Sequence, residues 1–292
     1  MILNVSGRTD IVGFYSKWFM NRYKEGFLDV RNPFNRALVS RIYSKDVDLI
    51  VFCTKNPLPI IEHLKEIDKP IIFQVTLTPY ESDFEPHVPP KTKIIEGIKE
   101  VSRILGKDNL YVRYDPIVVN EKYSLEYHRR AFAKLTSTLD GYVTKYIISF
   151  VDNYKNVERN ANVLKIKELN ESDYKFFGEN FSSIASKHKA TVQTCFESHD
   201  LVEYGFIKGE CVSKELAYKL TGKEFKSWKA RKCNCVEMVD IGDYNSCLHL
   251  CKYCYANYDE KNVLKNNRLH DSKSSLLIGH IKDTDIIKVR EK

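Results

Sequence analysis

The sequence predicts an α/β protein built on a parallel sheet of six strands joined by crossover helices, with a cysteine-rich segment after it. Three observations carry that expectation. Six short runs of β-branched and apolar residues recur in the first two hundred positions, segments of helical spacing lie between them, and Cys247, Cys251 and Cys254 crowd into eight positions near the end. Apolar runs without alternation are the mark of strands buried on both faces. Strand followed by helix followed by strand is the order that parallel pairing requires.

The first strand is read in "ILNVSG" (2–7), and "IVGFYSKWFMNRYKEG" after it has helical spacing. "FLDVRNPFNRALVSRI" (27–42) departs from the pattern and is expected to form an extended hairpin or arm. The second and third strands fall in "VDLIVFC" (47–53) and "PIIFQVTL" (70–77), with the helical "KIIEGIKEVSRILG" next. "LYVRY" (110–114) is the fourth strand, and "YSLEYHRRAFAKLTSTL" is a helix opened by Ser124 as N-cap. "KYIISFV" (145–151) is the fifth, "ESDYKFFGENFSSIASKH" a helix opened by Ser172, and "ATVQTCF" (190–196) the sixth.

A chain of 292 residues, 43% hydrophobic, buries one large core or two modest ones. No run approaches the roughly 18 apolar residues of a membrane span. The start, "MILNVSGRTD", lacks a basic stretch followed by an apolar one, so a cytoplasmic protein without membrane contact is expected. Thiols stay reduced there, which makes eight cysteines metal ligands or catalytic groups rather than a disulfide framework. The net charge of +7 reads mostly as solvated surface. Residues 213–232 set seven Lys or Arg against two Glu, with Phe225 and Trp228 interleaved: a Lys-rich helix face, or alternatively a nucleic-acid contact.

Polar groups close every strand: Arg8 and Asp10, Lys55 and Asn56, Thr76 and Thr78, Arg113 and Asp115, Ser149 and Asp152, Cys195 and Glu197. Parallel α/β folds place their sites at these carboxyl ends. Pro57, Pro79 and Pro116 hold the exits extended and fix Asn56 and Asp115 at the mouth. Arg8, Lys55 and Arg113 suit an anionic group, and Asp10, Asp115 and Glu197 suit amines or hydroxyls. Each is equally able to serve as half of a structural ion pair.

Cys247-x3-Cys251-x2-Cys254 supplies three thiolates, one short of the usual structural zinc set, unless Cys233 or Cys235 completes it. On a four-iron cubane, three ligands leave one iron open. With aromatic Tyr253 before the last cysteine, the motif resembles the signature of the radical S-adenosylmethionine (SAM) superfamily. That resemblance implies a 4Fe-4S cluster whose open iron chelates SAM, reductive cleavage to a 5′-deoxyadenosyl radical, and hydrogen abstraction from a substrate. It also implies a reductant such as flavodoxin or ferredoxin. By the same resemblance the fold is a six-unit (β/α) partial TIM-type barrel over residues 1–200, with residues 201–292 a cluster-binding extension packed on its mouth. Tyr253 and Asn56 join the cysteines as cofactor-binding residues, and Arg8, Asp10, Lys55, Arg113, Asp115 and Glu197 form the catalytic set. Here the cysteines follow the sixth strand, whereas in that superfamily they follow the first.

The whole chain resembles an uncharacterised family of domains of unknown function that share "RTDI", "TKNP", "TLTPY", "RYDP" and "DIGDYNSCLHLCKYCYAN". Cys195, Cys211, Cys233 and Cys235 lie where many radical SAM enzymes attach a second cluster, so a second iron–sulfur cluster or a zinc ion is expected on them. Cys53 reads as a small buried hydrophobe, and His249 as a solvent-facing loop residue. Two other functions stay open: a metal-stabilised protein that binds nucleic acid, and a non-radical iron–sulfur protein. "CKYCY" resembles the loop of the spore photoproduct lyase branch, which makes DNA repair a candidate substrate class.

Overall fold

In the computed structural model, which describes residues 1–194, 197, 199–228 and 235–291, all six expected strands share one parallel sheet. β1 (Ile2–Asn4) leads into α1 (Ile11–Phe14) and α2 (Ser16–Glu25). β2 (Phe27–Arg31) and β3 (Leu38–Tyr43) are the expected hairpin, paired antiparallel. Then follow β4 (Leu49–Thr54), β5 (Ile71–Thr76), α3 (Lys91–Leu105), β6 (Leu110–Ile117), α4 (Leu125–Thr138) and β7 (Lys145–Phe150). Two short helices, α5 (Lys155–Arg159) and α6 (Ala161–Leu164), precede α7 (Glu171–Lys187) and β8 (Thr191–Thr194). The remainder holds β9 (Ile207–Lys208), α8 (Lys214–Thr221), β10 (Met238–Asp240), α9 (Glu260–Arg268) and β11 (Ile286–Val289).

The large sheet runs β10-β1-β4-β5-β6-β7-β8-β9, so the six expected strands stand in chain order with one added at each end. β11 joins β3 in a second, three-stranded sheet. Residues beyond 200 therefore contribute two strands to the same sheet as the first two hundred. No helix among the described residues is long and apolar enough to cross a membrane.

Side chains alternate between the two faces of a strand, and that period sorts the core. Leu3, Ile50, Phe52, Phe73, Val112 and Ile148 pack against the helices in the main cluster. Ile2, Leu49, Val51, Ile72, Tyr111 and Ile147 face the other way, onto Val212, Ala217 and Val236. Both faces are thus covered, which is why the runs carry no alternation. Two residues further along the second face, the same alternation brings Cys53, Gln74, Arg113 and Ser149, a polar layer just beyond the apolar one.

Local signals were met unevenly. Ser124 caps α4, its side chain accepting from Tyr127 N. Ser172 does not cap α7. That role belongs to Asn170, in a reciprocal capping box with Asp173, while Ser172 donates to Asn170 Oδ1 at 2.6 Å. The box satisfies two backbone donors where a serine cap satisfies one, and so fixes the start two residues earlier. In the basic segment, Ala217 is buried and Leu216, Leu220 and Phe225 pack on the sheet, leaving Lys214, Lys219, Lys223 and Lys226 exposed. Lys229, Arg231 and Lys232 lie outside the described residues.

Candidate functional site

Residues 245–257 form a loop across the carboxyl ends of the strands, held by contacts to four of the segments that leave them. The turn after β1 supplies Asp10. Its Oδ1 accepts from Gly13 N (2.7 Å) to cap α1, and Oδ2 accepts from Thr54 Oγ1 (2.9 Å), Lys55 N (2.8 Å) and His249 Nε2 (2.9 Å). One carboxylate thereby ties together the exits of β1 and β4 and the cysteine loop. His249 is 2% exposed and edge-on to Phe14 at 4.5 Å, so it is a buried fastener and not a solvent-facing residue. Burying a polar ring in a loop is sustained because its Nε2 bonds the Asp10 carboxylate, while Nδ1 faces His87 O at 3.3 Å.

The second fastener is Tyr253. Its hydroxyl donates to Glu85, in the segment after β5, and its ring lies 5.6 Å from Tyr80. Glu85 is 3% exposed and also accepts from Lys55 Nζ (2.7 Å), Thr78 Oγ1 (2.5 Å) and Lys91 Nζ. Burial by itself would raise its pKa, but Lys55 and Lys91 outweigh that and hold it down to about 2. Beside it Lys55 is pushed up: burial opposes its charge, and Glu85 with Cys251 overcomes the penalty.

The turn after β7 grips the loop's backbone. Asn156 Nδ2 donates to Cys254 O (3.2 Å) and Tyr255 O (3.1 Å), and Asn160, one helical turn on, donates to Lys252 O (2.7 Å). Tyr15, preceding α2, donates to Ser246 O at 2.5 Å, and Tyr255 reaches back to Gly7 O. Gly7 is required where it stands: a Cβ there would lie 1.6 Å from Asp240 Oδ2.

So held, the three cysteines are within electrostatic range of one another. Burial pushes the Cys247 thiol well above its ordinary pKa, and Asp10 with the other two sulfurs adds to this. Cys251 and Cys254 are raised chiefly by burial too, with Lys55 acting against the rise at both. A metal group bound there must displace these protons. Cys254 Sγ also accepts from Ala256 N at 3.3 Å. Among the described residues, no three His, Cys, Asp or Glu side chains form a group that could hold a metal ion as they stand.

The other expected site residues are placed as follows. Arg113 donates to Asp115 (Nε, 2.8 Å), to Gln74 Oε1 (3.1 Å) and to Cys211 Sγ (3.2 Å), and Asp115 also accepts from Ser149 Oγ. Burial raises Glu197 to about 8; the Phe150 N–H bonded to it opposes the shift, while nearby Asp152 and Asp115 reinforce it. Arg8 lies at the β1–β10 edge, where Nη2 donates to Asp240 O (2.8 Å) and Nε is 3.4 Å from Asp240 Oδ1. Each of the cations Arg8, Lys55 and Arg113 thus already faces a carboxylate. Asn56 is used locally, its N–H on Thr54 Oγ1 (2.8 Å) and its Oδ1 accepting from Leu58 N (3.3 Å). Cys53 is of intermediate exposure and stands at the polar layer beyond the apolar one; burial chiefly pushes its thiol up to about 11, Arg113 opposing and Asp10 and Asp115 adding to the rise. The apolar side of its strand is taken by Phe52. Cys211 and Cys235 share the apolar cluster on the second face, and Cys195 and Cys233 lie outside the described residues.

Sequence reasoning missed Glu85, Asn156 and Asn160. The segment after β5 offers Glu81, Asp83 and Glu85 at alternate positions, and nothing local distinguishes the one that is buried. Asn156 and Asn160 carry a weak signal, two amides a helical turn apart in a segment leaving a strand.

Fold and loop together define a class: an α/β protein with a parallel sheet whose strand exits carry a fastened three-cysteine loop. The chain belongs to the family described as a domain of unknown function (DUF1848), whose model matches residues 2–256. No curated protein matches it.

Proposed function

We propose that this protein is a radical SAM-type enzyme on a partial (β/α) barrel, with a 4Fe-4S cluster held by Cys247, Cys251 and Cys254. The observation that carries the reading is the fastening of a CxxxCxxC loop by His249 to Asp10 and by Tyr253 to Glu85, over the ends of a parallel sheet. Residues around the loop fit such a group. Thr9 Oγ1 and Asn257 Oδ1 are buried with no hydrogen-bond partner among the described residues; Asn257 is in the loop and donates to Cys247 O, and Thr9 precedes Asp10, which holds His249. The N–H of Ala256 on Cys254 Sγ is the kind of bond that supports cluster sulfurs. Thiolates on separate irons need not gather around one point as the ligands of a single zinc ion do.

When bound, the cluster would supply the electron that cleaves SAM and generates the hydrogen-abstracting radical. The chain's own residues do the rest. Asp10, Glu85, Asn156 and Asn160 hold the loop, and burial of Tyr253 and His249 keeps water from its inner side. Arg113, Asp115, Gln74 and Ser149 present a hydrogen-bonded layer that suits orientation of a polar substrate. The region of Cys211 and Cys235, with Arg113 on the former, is proposed to hold the second metal group.

The test is anaerobic reconstitution with iron and sulfide, then reduction in the presence of SAM. A brown protein that forms 5′-deoxyadenosine is expected, and Cys251→Ala should lose at least 100-fold of that activity. A colourless protein carrying one zinc would instead support a metal-stabilised binding protein. Undiminished 5′-deoxyadenosine from Cys251→Ala would remove the loop from the chemistry.

A further inference from the structure

Resting on the cluster reading above, we propose that the buried Lys55–Glu85–Lys91 ion group sets the electron affinity of the cluster, with Lys55 as the positioning charge at its Cys251 end. Lys55 Nζ is 2.7 Å from Glu85 Oε1, 3.3 Å from Thr78 Oγ1 and 5.5 Å from the centre of the Tyr253 ring. Lys91 occupies the other oxygen of the same carboxylate. Two cations on one carboxylate leave an uncompensated positive charge within a group whose Glu85 is 3% exposed. Anchoring Tyr253 explains the carboxylate and one lysine, since an unpaired buried carboxylate is costly. It does not explain the second lysine.

The excess charge has a direction. Lys55 and Lys91 sit on the carboxylate that anchors Tyr253, next to Cys254 and two residues from Cys251, whereas Asp10 anchors His249, two residues from Cys247. Asp10 is itself spread over four donors. A cluster on these sulfurs would lie between a cationic pole and a hydrogen-bonded carboxylate. Reduction adds one electron from an external low-potential donor, with no bond made or broken in the protein. A fixed positive charge in a low-dielectric setting stabilises the added negative charge. Lys55 would therefore make the cluster easier to reduce.

The experiment is a redox titration of the reconstituted protein, followed by electron paramagnetic resonance, on wild type, Lys55→Met, Lys55→Arg and Glu85→Gln. Lys55→Met should lower the midpoint potential enough to cut the reduced-to-oxidised ratio at least tenfold at fixed ambient potential, about 59 mV for one electron. Glu85→Gln should shift it the opposite way, and Lys55→Arg should stay within threefold of wild type. Should Lys55→Met not fold, Lys91→Met, whose side chain is 33% exposed, must shift in the same direction. Opposite signs for the lysine and glutamate variants support the proposal. Equal potentials across fully loaded proteins, or shifts of one sign, overturn it while leaving the cluster reading intact. Failure of the wild type to take up a cluster removes both.

Discussion

Asp10 shows how much one side chain can decide. Four donors converge on it, and three of them come from outside its own turn: the Thr54 hydroxyl, the Lys55 N–H and His249. Removing a shared acceptor leaves each buried donor with its desolvation cost, roughly 1–3 kcal/mol apiece where nothing relaxes. Asp10→Ala is therefore predicted to lose about 3 kcal/mol in urea unfolding, and Asp10→Asn about half that because one acceptor oxygen survives. A loss under about 1 kcal/mol for Asp10→Ala would mean that the donors find water, and that the carboxylate does not hold the loop.

At the scale of elements, α7 is capped by Asn170 and not by Ser172, the cap read from the sequence. Asn170 accepts from Asp173 N at 3.1 Å while Asp173 Oδ2 accepts from Asn170 N at 3.1 Å, and Lys167 Nζ lies 2.9 Å from the same carboxylate. Replacing Asn170 with Ala should cost about 1 kcal/mol. Ser172→Ala should stay within about 0.5 kcal/mol, since its hydroxyl is exposed and caps nothing. Thermal or urea unfolding of the two variants checks this, and a larger effect from Ser172 would reverse the assignment. The same helix packs Phe177 and Phe181 against α4 and β6, around His128 and Tyr114.

For the molecule as a whole, His128 makes stability depend on pH. It is fully buried between Tyr114 Oη (2.8 Å) and Val118 O (3.0 Å), and burial lowers its pKa from 6.5 to about 4, the bond to Val118 opposing. Between those values the unfolded chain binds a proton that the folded chain refuses. Stability therefore falls as pH drops from about 6.5 towards 4 and is insensitive to this group above 6.5, with a full contribution of about 3 kcal/mol. Urea midpoints across pH 5 to 7 should slope in wild type and flatten in His128→Gln. An equal slope in the variant would assign the dependence to other groups.

What the sequence by itself determined is what short-range physics encodes. Apolar runs such as "VDLIVFC" and "KYIISFV", short and rich in β-branched residues, fit strands covered on both faces, and the hairpin at 27–42 has no helical spacing to follow. Ser124 was legible because its cap contacts lie three residues away. Cysteine spacing in the loop is local too. Only the tertiary structure could seat β10 beside β1 and β9 beside β8, because strands of three and two residues carry no periodicity of their own. It alone chose Glu85 over Glu81 and Asp83, and turned His249 inward to a carboxylate 239 residues away. Such choices are made by which groups are excluded from water when distant segments close, and a buried charge persists only where the closed chain delivers its partners.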